Sequence, residues 1–478
     1  MKHYSKFQLF GLIVAPIILI FMLLLENPSS MNDTAWKTAS VAFVLAVLWI
    51  TEAIPIYVTA LLPIVFFPLL EVGSIKEVTV PYAHPLIFLF LGGFILAEGI
   101  QKWGLHRRIA LSIIKLIGFT PKNIIAGFMI GSAFLSMWIS NTATTLMMLP
   151  IGLFVVSIYK EASNHNSIQV KNFTIALMLS IAYSSSIGGV GTLIGTPPNA
   201  LLAAFMNDTY NIEISFAEWM MVGIPFVIIS LPILFFLLTK ILFPIDKLDE
   251  IDDTIFRKEL DGIGKMSTEE KRVFAVFVIT ASLWMSRMLL SKLIPGLSDA
   301  GIAIFGALLL FFIPTKEGSP LIVWKDVQKI AWGILLLFGG GLSLAQGIKT
   351  SGLADWIAVS ILNIGDFPVL FLIFLLTAAI VFLTELTSNL ATTAAFLPVI
   401  GSVAVGLNVN PLELVIPVAI AASCAFMLPV ATAPNAIVFS SGELKIKDMS
   451  RAGLLLNIVF IFIVIFVSSV FGKLSFGY

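Results

Sequence analysis

The sequence predicts an all-α polytopic membrane protein, with about 11 transmembrane helices and two re-entrant hairpins arranged in two inverted repeats. Three observations predict it. Apolar residues make up 58% of the chain and charged residues only 12%, a balance far outside the soluble range. The apolar residues gather in runs long enough to cross about 30 Å of hydrocarbon. A polar, helix-breaking pattern also occurs twice: SMWISNTATTLMMLP (136–150) and TELTSNLATTAAFLP (384–398) match at Ser140/Ser388, Asn141/Asn389, Ala143/Ala391, Thr144/Thr392, Thr145/Thr393, Leu149/Leu397 and Pro150/Pro398.

The first run, 7–25, has no small-residue cleavage site and no counterpart later in the chain, so residues 1–36 read as an extra, retained helix ahead of the duplication. Apolar segments at 37–54, 57–72, 84–101, 121–157, 174–206 and 217–243 form the first repeat, 37–243. The stretch 244–272 contains DKLDEIDD and STEEKR and reads as a solvated cytoplasmic linker. Segments at 273–290, 300–314, 331–348, 367–404, 411–441 and 452–472 form the second repeat, 273–478. Trp49 with Trp284, Gly92-Gly93 with Gly340-Gly341, and Gly104-Leu105 with Gly352-Leu353 extend the match. Segments 121–157 and 367–404 are expected to dip into the bilayer and return, because two full crossings would leave Ser140-Asn141 at the surface. With the N-terminus in the cytoplasm, only Lys37, Lys76, Arg287, Lys292, Lys349 and Lys473 of the 28 basic residues lie outside. That is a strong positive-inside bias, as expected of a multi-pass membrane protein with a cytoplasmic N-terminus. The first repeat then starts outside and the second inside, so the two are inverted.

Composition also excludes. A net charge of zero argues against nucleic acid as a partner. Cys424 is the only cysteine and the four histidines are scattered, so no Cys/His metal site is expected. GIKT (347–350) misses the phosphate-loop pattern. There is no HExxH, no intramembrane aspartate pair and no Ser–His arrangement, so the chain does not read as an enzyme. Glu52, Glu98 and Glu385 sit at or near membrane depth, where a carboxylate is costly. Glu52 and Glu98 read as structural pairs more than proton carriers. Glu385, three residues before Ser388, reads equally as a support for the hairpin or as a transport residue.

A second echo follows each hairpin: GTPPNA (195–200) and ATAPNA (431–436). Proline removes an amide donor and interrupts each apolar helix. Unpaired backbone at membrane depth must line protein or a watery cavity. Each break frees N–H groups that favour an anion and carbonyls that, with Ser, Thr and Asn oxygens, suit a hard cation. Four such breaks in two inverted pairs can hold a dianion centrally with a cation beside each pair. No lysine or arginine lies in these motifs, so co-bound cations and dipoles must neutralise the anion. A single SNT triplet is often only a packing device between membrane helices. Two Ser-Asn tips in matched positions, each followed by a matched Pro-Asn break, point to a binding site.

Ser140-Asn141-Thr142, Ser388-Asn389, GTPPNA and ATAPNA, together with the two units and the linker, resemble the divalent anion/sodium symporter family of sodium–dicarboxylate and citrate transporters. The resemblance covers essentially the whole chain. It implies a homodimer with a mobile transport domain working as an elevator, and Na+ as the coupled ion. It implies one sodium site at Ser136, Ser140, Asn141 and the backbone near Gly195, and another at Thr384, Thr387, Asn389 and the backbone near Ala431. Substrate carboxylates are expected at Asn141, Thr142, Thr196, Ser388, Asn389 and Thr432. The chain departs from the family at Leu390, where threonine is usual, and at Ala433, which breaks the Pro-Pro pair kept at Pro197-Pro198. The reading is a sodium-coupled symporter of C4 dicarboxylates such as succinate, malate or fumarate. A sodium-independent exchanger, or a sodium-coupled citrate or sulfate transporter, are the alternatives on the same scaffold.

Overall fold

The computed structural model describes residues 4–28, 30–162, 168–245, 264–362 and 368–478. Among them the regular structure is helical, apart from one isolated bridge between Pro314 and Pro320. Nine helices of the described residues are long and apolar enough to cross a membrane, and four shorter apolar helices accompany them, at 56–69, 299–312, 369–383 and 411–422.

Helix α1 (Lys6–Leu24) opens on a reciprocal cap between Ser5 and Gln8 and lies against α2 (Asp33–Thr51). Phe7, Phe10, Ile17 and Phe21 of α1 are exposed, as suits a helix that faces lipid. Then come α3 (Ile56–Thr59), α4 (Leu62–Leu69), α5 (Ile75–Thr79) and α6 (Pro85–Lys102). Sequence reading missed α7 (Leu105–Ile117), which follows α6 after a left-handed Gly104. The first hairpin is α8 (Pro121–Ser136) and α9 (Asn141–Ala162). The helix after it is broken, as α10 (Ile168–Gly189) and α11 (Pro197–Tyr210), before α12 (Phe216–Phe236) closes the first half.

The same order returns as α13 (Thr268–Leu290), α14 (Asp299–Phe312), a short α15 (Trp324–Val327), α16 (Trp332–Thr350) and α17 (Leu353–Leu362). The second hairpin, α18 (Val369–Leu383) and α19 (Asn389–Gly406), precedes a broken pair α20 (Pro411–Ala422) and α21 (Ala433–Ser440), then α22 (Ile446–Val467). One boundary differs from expectation. The expected linker 244–272 is described only at its ends, residues 246–263 lying outside the described residues, and α13 starts at Thr268. The polar STEE stretch that reads as linker is the helix's own cap, with Ser267 and Glu270 bonded reciprocally. The second unexpected helix, α17, follows a left-handed Gly352, the counterpart of Gly104. Both helices are amphipathic or short, so a search for long apolar runs passes over them.

The residues matched between the halves do matching work. Trp49 and Trp284 are both buried, and each indole N–H donates to a carbonyl at the start of the next element, Ile56 O at 3.1 Å and Asp299 O at 3.0 Å. Gly92 and Gly340 are close-packing positions. A Cβ on Gly92 would stand 2.5 Å from the Ala303 backbone, and one on Gly340 2.3 Å from the Ala60 carbonyl. The halves also interlock: α9 and α10 pack on α21, while α19 packs on α11. Each hairpin thus leans on the post-break helix of the other half.

Candidate functional site

The tips of the hairpins and the two helix breaks meet around one cavity of about 440 Å³. Ser140, Asn141 and Thr142 line it from the first tip, and Thr387, Ser388, Asn389 and Leu390 from the second. The breaks contribute Gly195, Thr196, Pro197 and Pro198 on one side, and Ala431, Thr432, Ala433 and Pro434 on the other. All the expected substrate residues are therefore on one surface. Helices α9, α11, α19 and α21 all begin at it, with Asn141, Pro197, Asn389 and Ala433. Four helix N-termini bring the positive ends of their dipoles to the cavity, which favours an anion without a formal positive charge; Pro197, Pro198 and Pro434 carry no N–H, so the amides at the starts of α9 and α19 are the main donors. Among the described residues that line the cavity none is Lys, Arg or His, and the one carboxylate is Glu52. Glu52 is exposed at the end of α2 in a left-handed conformation and lines the cavity, and its backbone carbonyl accepts from Gln8 Nε2 at 3.1 Å.

Ser136 and Thr384 do not line the cavity; they are fully buried behind the tips. Ser136 Oγ donates to Asn141 Oδ1 at 2.6 Å. The same Asn141 atom lies 3.2 Å from the carbonyl oxygens of Ser185 and of Gly195. With the amide turned by half a turn, its nitrogen donates to all three. With oxygen there, Ser136 Oγ–H satisfies it, but the carbonyls of Ser185 and Gly195 face it with no hydrogen between, an arrangement that a cation among them would stabilise. The second half repeats this. Thr384 Oγ1 lies 2.8 Å from Asn389 Oδ1 and 2.9 Å from the Ala422 carbonyl. In each half a hydroxyl, a tip asparagine and a carbonyl from the helix before the break converge. The carbonyls of Ser185 and Ala422 escaped sequence reading because any residue type supplies one. Thr387 is differently placed: its hydroxyl bonds the Leu383 carbonyl and Thr392 Oγ1, within its own hairpin.

The breaks are held open by two asparagines that sequence reading noted only as part of a motif. Asn199 is fully buried and its Nδ2 donates to the carbonyls of Gly189, Val190 and Thr192, at 3.2, 3.2 and 2.7 Å. Asn435 does the same for Ala425 and Leu428, at 3.1 and 3.0 Å. The Pro-Asn pair is thus one device: proline opens the helix and asparagine ties the released carbonyls together. Of the side chains expected to bind, Thr432 also caps α21 through the Asn435 amide at 3.2 Å, and Ser140 accepts from Ala143 N at 3.2 Å. Thr196 and Ser388 sit at N-cap positions with no side-chain cap bond, which leaves both hydroxyls to the cavity.

A family model described as the sodium:sulfate symporter transmembrane region matches residues 6–477. The chain belongs to the divalent anion/sodium symporter family. It is a membrane transporter of that family. A curated protein of Staphylococcus saprophyticus named sodium-dependent dicarboxylate transporter SdcS is 41% identical over 475 residues, covering 98% of this chain and 92% of the relative. Its namesake from Staphylococcus aureus strain USA300 is 43% identical over 481 residues, covering 98% and 91%. Two solved transporters share the fold at low identity. MtrF of Neisseria gonorrhoeae is 12% identical with a TM-score of 0.57, over 97% of this chain and 94% of its own. YdaH of Alcanivorax borkumensis is 11% identical with a TM-score of 0.53, over 99% and 98%.

Proposed function

We propose that this family member couples sodium entry to the uptake of C4 dicarboxylates such as succinate, malate or fumarate across the cytoplasmic membrane of a bacterium. The observation that carries the reading is the cavity itself. A dianion fits among four helix N-termini with no basic side chain, and it needs cations to complete neutralisation. Oxygens at the tips and breaks would hold them: Ser136, Ser140, Asn141 and the Gly195 backbone for one sodium, Thr384, Thr387, Asn389 and the Ala431 backbone for the other, with Thr387 turning from its bonds within the hairpin. Asn141 and Asn389 are shared, each turning an oxygen to the cation and an NH₂ to the carboxylate. Thr142, Thr196, Ser388 and Thr432 complete the substrate contacts. The relatives' names, sodium-dependent dicarboxylate transporters, support the same pair of solutes.

In this reading the N-terminus is cytoplasmic, the units 37–243 and 273–478 are inverted repeats, and the chain acts as a homodimer by an elevator movement. Under that topology Glu52, Ile56 and Ile334 lie toward the cytoplasm, so the cavity they line opens inward. Contacts at the other end support this: His84 meets Asp208 at 3.0 Å, and Lys349 Nζ donates to the Thr209 carbonyl at 2.6 Å at the end of α11. The test is counterflow of labelled succinate in proteoliposomes with and without a sodium gradient. Sodium-driven accumulation is expected; equal counterflow without sodium identifies an exchanger.

A further inference from the structure

One buried carboxylate is not used by the cavity. Glu385 follows Thr384 at the root of the second tip and is 3% exposed. Its Oε1 accepts from the amides of Phe426 and Met427, at 2.7 and 2.9 Å, and from Asn457 Nδ2 at 2.8 Å. Its Oε2 accepts from the Leu428 amide at 3.1 Å. The three amides are consecutive and belong to the open stretch between α20 and α21. The carbonyls of that stretch are taken by other partners: Ala425 and Leu428 by Asn435, Phe426 by Tyr183 at 2.6 Å, Met427 by Ser450 at 3.3 Å.

We propose that Glu385 is a positioning residue for the second cation site. By gathering the amides of 426–428 it fixes where α20 stops, and so where the Ala422 carbonyl meets Thr384 Oγ1 and Asn389 Oδ1. It also sets a carboxylate one residue from Thr384. The first half has no such group: the position 248 residues earlier is Met137, whose carbonyl accepts from Thr192 Oγ1. Among the described residues, the side chains that bond the break of the first half are neutral: Asn199, Thr192 and the Trp219 indole, which donates to Val190 O at 2.9 Å. The two cation sites are therefore unequal, although their side chains match. The second has a charged support that both shapes it and attracts the cation. This inference rests on the symport reading above.

The experiment is a sodium titration of succinate uptake in proteoliposomes of the full chain, at saturating succinate. In E385Q, which keeps the side chain's size and loses its charge, half-saturating sodium should rise about tenfold, the worth of one hydrogen bond to a charged group. The double variant E385Q/N457D returns a carboxylate to the cluster and should restore sodium affinity to within about threefold of wild type. M137L should leave it unchanged. The KM for succinate at saturating sodium should hold in all of them. A merely structural role lowers folded yield and maximal rate alone; folded E385Q with unmoved half-saturating sodium overturns the proposal. Should E385Q fail to fold, N457A keeps the charge and removes one donor. A rise of about threefold in half-saturating sodium then supports the proposal, and no rise overturns it. Wild-type uptake that ignores sodium is a separate outcome, and it overturns the symport reading instead.

Discussion

Asn199→Ala tests how the first helix break is kept open. The Asn199 amide carries two hydrogens and faces three carbonyls, those of Gly189, Val190 and Thr192. The Val190 carbonyl also accepts from the Trp219 indole and stays satisfied in the variant. Gly189 and Thr192 lose the asparagine amide as donor. A buried acceptor left without its partner costs about 1–3 kcal/mol, so the two together cost about 2–4 kcal/mol once the break relaxes. The other end of the side chain softens nothing else, since Asn199 Oδ1 has no partner to lose. The cost falls on local opening, because the surrounding helices α10 and α12 keep their packing. Hydrogen exchange of the amides in 190–196 should therefore speed up by about 30- to 900-fold, the same energy expressed as a ratio. Asn435→Ala should do likewise for 425–431. Exchange unchanged at those amides in a folded variant would refute the view that asparagine holds the break.

Further outcomes follow from the same geometry. Asn141→Ala and Asn389→Ala should each abolish sodium-dependent uptake while the protein stays folded and inserted, as judged by gel filtration and uptake together. Leu390→Thr adds a hydroxyl to the cavity wall and should change the ranking of succinate, citrate and sulfate as competitors more than it changes maximal rate. An unchanged ranking puts specificity elsewhere. Gly340→Ala drives a methyl into the Ala60 carbonyl and should cost about 1–3 kcal/mol by overpacking, read as a lowered unfolding midpoint in detergent. Gly104→Ala has open space around it and costs only the strain of a left-handed backbone, about 1 kcal/mol. Among the described residues that line the cavity none is His, Lys or Arg, and its one carboxylate, Glu52, is not among the proposed substrate contacts, so uptake of total succinate should track the second ionisation of the substrate as pH falls, and an inward proton gradient should not increase it.

The repeated Ser-Asn tip and the Pro-Asn echo were legible because they are side-chain signals at fixed offsets, and the residues they marked as expected substrate contacts line one surface. The paired glycines were legible as part of the match between the halves; the structure makes Gly92 and Gly340 close-packing positions against the backbones of Ala303 and Ala60. What stayed hidden was either backbone or non-local. The carbonyls of Ser185 and Ala422 have no sequence signature. The interlocking of α9 with α21 and of α19 with α11 depends on how the halves fold over each other, which offsets do not encode. Helix α7 could have been found from the helical spacing of the apolar Leu105, Ala110, Leu111 and Ile114, which it buries, rather than from mean hydropathy. Glu385 shows the limit of reading charge in apolar sequence: its partners are amides about forty residues away, so its role as a cap needs three dimensions.

The central claim is that sodium and a dicarboxylate occupy one shared cavity through Asn141 and Asn389. Equilibrium binding of labelled succinate to the purified protein, across a sodium series with potassium as the replacement ion, tests it most directly. Linkage requires that succinate tighten sodium binding by the same factor as sodium tightens succinate. The account predicts that reciprocal rise, its absence in potassium, and its loss in Asn141→Ala and Asn389→Ala. Succinate binding of equal strength in sodium and potassium would contradict it.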